Sequence, residues 1–322
     1  MKTLNERITE TLKAHGADLV GFGGIERFRD TAVPAIFPKA RTVIGAAFRV
    51  LRGSHRGVEE GSTYYQYTTT GVETIEETVM PLAMLRACAV LEDAGFDALP
   101  QKRNQLIMQS CDDTNPEVNY SEIYRGKTAE NQLDFEEAAV LCGLGERGFS
   151  GTLLTDDFGP FQRLCFILTD AELEETPLAQ PHLCDRCGKC AQACPGRAID
   201  PSSGKVDHWQ CAAYYVGANM TKNPFMPPDA YLHEPDRLAI IAGEAKLSPE
   251  RARKIIDETF FYPPIKHAYL SSICGRACDV ACYIHLEEKG VLKRSFKTPF
   301  RKRPEWKLSI QIETEEEKNA HA

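Results

Sequence analysis

Four cysteines stand in one short run, Cys184-x2-Cys187-x2-Cys190-x3-Cys194, with Pro195 directly after the last. No other stretch of the chain restricts its fold so strongly. Thiolates at this spacing curl around an iron–sulfur cubane and close three of its corners, while the cysteine before the proline points away and serves a second cluster. Zinc is the competing metal, but zinc sites favour separated CxxC pairs over four cysteines in one tight run. Downstream, Cys211, Cys274, Cys278 and Cys282 complete the number that two 4Fe–4S clusters require. Reciprocal sharing assigns Cys184, Cys187, Cys190 and Cys282 to one cluster, and Cys194, Cys211, Cys274 and Cys278 to the other. The second group departs from the ferredoxin pattern: three residues separate Cys274 from Cys278, and Tyr283 follows Cys282 where a proline would stand. The type of the second cluster and the partner of each cysteine therefore stay open. A single cluster with four spare thiols is the plainer alternative. Cys211 stands alone, and reads either as the open corner of a cubane or as a buried thiol beside Trp209 and Tyr214.

The other cysteines, Cys88, Cys111, Cys142 and Cys165, are scattered, as expected of thiols that pack like small hydrophobes. So many unpaired cysteines suit a reducing compartment. The N-terminus has neither a secretory apolar core nor a twin-arginine leader, so the expected location is the cytoplasm. No apolar run reaches the roughly 18 residues of a membrane span. The net charge of −8 provides no basic field for nucleic acid. Residues 293–307 carry seven basic residues against one Glu, which reads as a solvated face.

With 322 residues and 43% apolar content, the chain can build one large domain and one smaller one. Apolar residues at helical spacing predict a helix from Leu4 to Leu12, stopped by Gly16. Strands are predicted at residues 18–23, 42–50, 97–100 and 161–169. A long helix is predicted over 72–91, kinked at Pro81, with Ile75, Val79, Leu82, Leu85 and Val90 facing the core. A helix at 136–141 runs into Gly143. This alternation gives an α/β layer fold for residues 1–175. Residues 176–290 form the cysteine-bearing domain, with short helices near 236–241 and 249–260, the latter capped by Ser248. Residues 291–322 form a charged tail, a solvated extension that can dock on the body.

Several stretches resemble one family. Residues 38–44 (PKARTVI), 143–148 (GLGERG), 159–164 (GPFQRL) and 168–170 (LTD), in this order ahead of the cysteines, resemble epoxyqueuosine reductases and reductive dehalogenases, with the dehalogenase branch the closer. The resemblance covers roughly residues 15–285. It implies a nitroreductase-like α/β domain that binds cobalamin or another corrinoid, and a bacterial-ferredoxin-like module that delivers electrons to cobalt. Cysteine-ligated cubanes reach potentials down to about −700 mV, low enough for that task.

On this resemblance Gly143, Gly145, Gly148 and Gly151 are candidate corrinoid contacts, their backbone free to approach a macrocycle; a tight helix-to-strand turn explains the same glycines. Tyr120, Tyr124 and Asp134 are candidate proton donors, a tyrosine suiting dehalogenase-like chemistry and a carboxylic acid suiting epoxide reduction. The expected partners are a low-potential donor such as ferredoxin or flavodoxin and a small organic substrate. Three functions remain open: a corrinoid-dependent reductase, a two-cluster electron carrier, and a protein that reduces a corrinoid for delivery.

Overall fold

The two long apolar runs of the first half become adjacent strands. In the computed structural model, which describes residues 2–61, 67–102, 133–259 and 272–321, the strands in chain order are β1 (Leu19–Gly24), β2 (Thr42–Arg49), β3 (Ala98–Lys102), β4 (Glu146–Arg147), β5 (Leu153–Leu154) and β6 (Gln162–Thr169). Four of them form one sheet in the order β1-β2-β6-β3, with every neighbouring pair antiparallel. The strands β4 and β5 make a separate short hairpin.

Successive strand side chains point to opposite faces. Ile44, Ala46, Phe48, Cys165 and Ile167 enter one core. Val43, Ala47, Leu164, Phe166 and Leu168 enter the other. Both faces are covered, so residues 43–48 of β2 and 164–168 of β6 carry no polar side chain, and the polar residues of these strands stand at their ends. The helices Leu4–Ala14 and Met80–Glu92 contribute to the first core, and the helix Phe135–Leu141 to the second. The first of these helices starts at a capping box between Thr3 and Glu6 and buries Ile8 and Leu12.

The segment expected as one long helix is built differently. Wide π-type turns occupy Ile75–Val79, and the α-helix begins at Met80, with Pro81 in its first turn. The Met80 N–H still donates to the Ile75 carbonyl, so the π-type turns run directly into the α-helix, and the change of helix type falls at Pro81, which has no N–H to continue the wider ladder. Ile75, Val79 and Val90 pack against the core as expected, but the face turns away from the two leucines. Met80, Ala83, Met84, Ala87, Cys88 and Leu91 face the core, while Leu82 and Leu85 are exposed. The small side chains of Ala83 and Ala87 allow close packing on the N-terminal helix and the sheet, which leucines at those positions would prevent.

The chain divides into two compact bodies. One consists of Met1–Leu51, Val72–Cys187 and Lys289–Ser295; the other of Arg52–Gly71, Gly188–Glu288 and Phe296–Ala322. The second body is helical and packs His208–Tyr215, Arg237–Ile241 and Pro249–Glu258 around Tyr214, Ile240, Ile241, Ile255 and Ile256. Ser248 caps the third of these helices at the Arg251 N–H, with Pro249 at its start.

The basic segment near the C-terminus is docked within this body and is not a free solvated extension. Phe300 is completely buried. Arg301 makes a two-pronged contact with Glu59 at 2.5 and 3.1 Å. Trp306 donates its indole N–H to the Val58 carbonyl at 3.1 Å, under the Lys222 ammonium. Arg303 donates to the Glu60 carbonyl. These basic groups are already occupied by the protein's own acids and carbonyls.

Candidate iron–sulfur centre

Left-handed backbone shapes both cysteine groups. Arg186 and Gly188, on either side of Cys187, have φ of 57° and 72°. Gly275 and Arg276, between Cys274 and Cys278, have φ of 55° and 57°. Left-handed residues among right-handed ones turn the chain sharply and can aim neighbouring N–H groups to one side, an arrangement suited to an anionic group such as a thiolate-bound cluster. Cys190 lies on the short helix Lys189–Ala193, and Cys194 ends it. Cys187 is exposed, Cys190 is buried, and Cys184 and Cys282 are half-buried.

The second set of sulfurs is brought together by the helical body. Cys211 sits on the helix His208–Tyr215, whose start is capped by Asp207. Cys278 lies in the first turn of the helix Ala277–Lys289, and the N–H groups of Ile273 and Cys274 are held by the Tyr215 carbonyl. The thiols are within electrostatic reach of one another: Cys211 feels Cys274 and Cys194, Cys274 feels Cys194, and Cys278 feels Cys274 and Cys211. Burial is the first cause acting on each of the three. It pushes the Cys211 thiol up to about 12 and raises both Cys274 and Cys278 above the ordinary thiol range. Three thiols that resist ionisation when free, gathered beside Cys194, form a donor set that iron, by replacing their protons, can satisfy.

Backbone and side chains support this pocket. Ala198 donates its N–H to the Cys194 Sγ at 3.2 Å. The buried Gln210 donates to the carbonyls of Gly196 and Ala245 at 2.8 and 2.7 Å and accepts the Leu247 N–H at 3.0 Å. Asn219 donates to the Pro195 carbonyl at 2.7 Å. Trp306 of the docked segment lines a small cavity together with Ile273, Cys274 and Gly275.

The glycine-rich loop 143–151 is packed on its own surroundings. A Cβ at Gly145 would lie 2.2 Å from the Leu154 carbonyl oxygen, and one at Gly143, where φ is +74°, would lie 2.5 Å from that of Pro177. Gly148 abuts the Leu154 side chain and the Thr152 carbonyl, whereas Gly151 has only the Arg147 side chain at 3.9 Å. Gly143 and Gly145 are thus required by close approach of backbone within the protein, and Gly148 is tightly packed. Asp134 caps the helix Phe135–Leu141 by accepting the Glu137 N–H at 2.9 Å, and lies 3.5 Å from Arg147. Tyr120 and Tyr124 lie outside the described residues. Cys88, Cys142 and Cys165 are buried, as expected of core thiols, and Cys142 donates its S–H to the Val43 carbonyl. Cys111 also lies outside the described residues.

The structure adds supporting groups that single letters did not reveal: Glu146, Phe149, Ala198, Gln210 and Asn219. Two of them act through backbone N–H groups, which every residue except proline possesses, and the other three are ordinary polar residues until the fold buries them.

A family model for the 4Fe-4S binding domain matches residues 180–200. The chain carries a 4Fe-4S binding domain. Tetrachloroethene reductive dehalogenases from Desulfitobacterium hafniense and Dehalobacter restrictus are 44% identical over 64 residues, 19% of this chain and 12% of theirs. The tetrachloroethene reductive dehalogenase of Sulfurospirillum multivorans is 30% identical over 121 residues, 30% of this chain and 24% of its own. The matches therefore span about an eighth to a quarter of the length of these relatives. Among solved structures, epoxyqueuosine reductase from Bacillus subtilis gives a TM-score of 0.45 at 14% identity, over 89% of this chain and 83% of that one. A catabolic reductive dehalogenase gives 0.48 at 18% identity, over 78% and 35%. The chain is similar to both groups. No helix among the described residues is long and apolar enough to cross a membrane.

Proposed function

We propose that this chain is an iron–sulfur reductase with two 4Fe–4S clusters, one on Cys184, Cys187, Cys190 and Cys282 and the other on Cys194, Cys211, Cys274 and Cys278. The clusters take single electrons from a low-potential donor such as ferredoxin or flavodoxin and pass them to an acceptor that reduces a small organic substrate. The observation that carries this reading is the gathering of the half-buried Cys211, Cys274 and Cys278 around Cys194, the last cysteine of the matched run. N–H donors aimed at Cys184 and Cys194 suit a redox role, since hydrogen bonds to cluster sulfurs set the potential.

The proposed acceptor is a corrinoid, whose cobalt takes up electrons at very low potential. That part rests on the sequence likeness to dehalogenases. The glycine loop fits a corrinoid only at Gly151, because Gly143, Gly145 and Gly148 are already filled by the protein's own packing. The same observation favours a second reading, an electron carrier whose acceptor is a separate protein. Anaerobic titration of the two-cluster protein with cobalamin separates them. Binding at micromolar concentration, with electron transfer from the reduced clusters to cobalt, supports the reductase. Absence of binding with both clusters present moves the carrier to first place.

A further inference from the structure

Glu146 is 5% exposed, and three successive backbone N–H groups share its carboxylate. His182 and Leu183 donate to Oε2 at 2.5 and 3.0 Å, and Cys184 donates to Oε1 at 2.7 Å. Three residues further along the same loop, the Phe149 N–H points at the Cys184 Sγ from 3.2 Å. The Phe149 ring carries the Arg186 guanidinium at 4.8 Å, so ring and backbone both engage the cysteine run. This loop is itself fixed, because Glu146 and Arg147 pair with Leu154 and Leu153, and Gly145 seats against the Leu154 carbonyl.

We propose that Glu146 is a positioning residue for the iron ligand Cys184, and that the Phe149 N–H tunes that ligand's sulfur. Loop 143–151 then serves the first cluster. The inference rests on Cys184 being a cluster ligand. A carboxylate is the side chain this role requires, since both its oxygens only accept and all three partners donate. Charge-assisted bonds of this kind are the strong ones, and they hold the segment entering the cluster in a single conformation. An N–H donated to a ligand sulfur stabilises the additional negative charge of the reduced cluster, which raises its potential.

The test uses the full chain, purified anaerobically with both clusters. Glu146→Gln places an NH2 among donors and breaks at least one of the three bonds. Iron from one cluster is expected to leave to a chelator about tenfold faster, the effect of losing one charge-assisted bond, while the other cluster's paramagnetic resonance is retained. Phe149→Pro removes the N–H and is expected to shift one cluster's midpoint potential to a more negative value with its iron retained. Phe149→Ala removes the ring but keeps the N–H, and the potential is expected to stay in place. If Glu146→Gln does not fold, the Phe149 pair still decides. Unchanged iron release in Glu146→Gln, together with the same potential in Phe149→Pro and Phe149→Ala, overturns the proposal. Failure of the underlying ligand assignment shows separately, as unchanged iron content and resonance in Cys184→Ser.

Discussion

Replacing Gln210 with Met tests whether a single buried amide holds the second cysteine group in place. Gln210 is 1% exposed. Its amide bonds to Gly196, two residues past Cys194, and to Ala245 and Leu247, while its own backbone precedes Cys211. Methionine keeps the length and apolar volume but can satisfy none of the three partners. Each buried polar group left unpaired costs about 1 to 3 kcal/mol. The carbonyls of Gly196 and Ala245 and the Leu247 N–H together place the expected loss at about 3 to 9 kcal/mol. That is a large share of the roughly 5 to 15 kcal/mol that stabilises a typical domain. Anaerobic urea titration followed by far-ultraviolet circular dichroism reads the loss, and resonance of the reduced protein reads the clusters. The cluster that includes Cys194 and Cys211 is expected to be depleted first. Gln192→Met, at an exposed position, controls for the chemistry of the substitution. A loss below about 1 kcal/mol, with both clusters at full occupancy, would refute the reasoning.

Anaerobic protein is expected to hold about eight irons and eight sulfides, as two cubanes require, and Cys88→Ser should leave both clusters in place; four irons after full reconstitution, or zinc in their place, contradicts the ligand sets. Glu234 is held below the ordinary carboxyl value, first by its hydrogen bond from Lys254 and then by Arg251. Because the folded value is the lower one, this contribution is present above the unfolded value of about 4.3 and is lost as pH falls through the folded value. Glu234→Gln should therefore flatten the acid limb of the stability profile below about pH 4, and a limb as steep as wild type would count against the network. Phe300→Ala, in the basic segment, is expected to cost about 3 to 5 kcal/mol because Phe300 is fully buried; a loss within about 0.5 kcal/mol would mean that the segment does not dock in solution.

Much of the layered half could be read from the sequence. The centres of the runs at 42–50 and 161–169 carry no polar side chain over 43–48 and 164–168, as suits a short strand buried on both faces. The N-terminal helix was legible because Leu4, Ile8 and Leu12 recur at helical spacing and Gly16 follows as a stop. The helix at Met80 was misread because Leu outranks Ala in any hydrophobic pattern. Packing there selected for small volume, leaving Leu82 and Leu85 outside. The glycine loop was visible as a loop, but its glycines suit a macrocycle and a tight backbone contact equally well. Only the position of the Leu154 and Pro177 carbonyls distinguishes the two.

What the sequence determined by itself was the metal chemistry. Thiol spacing is local, and the reach of a few residues around a cubane is set by covalent geometry, so Cys184 to Cys194 carry their meaning without a fold. Tertiary structure decided everything that depends on groups distant in the chain. It brought Cys211, Cys274 and Cys278 to Cys194, buried Glu146 under the N–H groups of 182–184, and turned a basic tail into a packed segment around Phe300. Long-range contacts and burial create these roles, and a carboxylate, an amide or a backbone N–H has no such role until the folded chain removes it from water and supplies its partner.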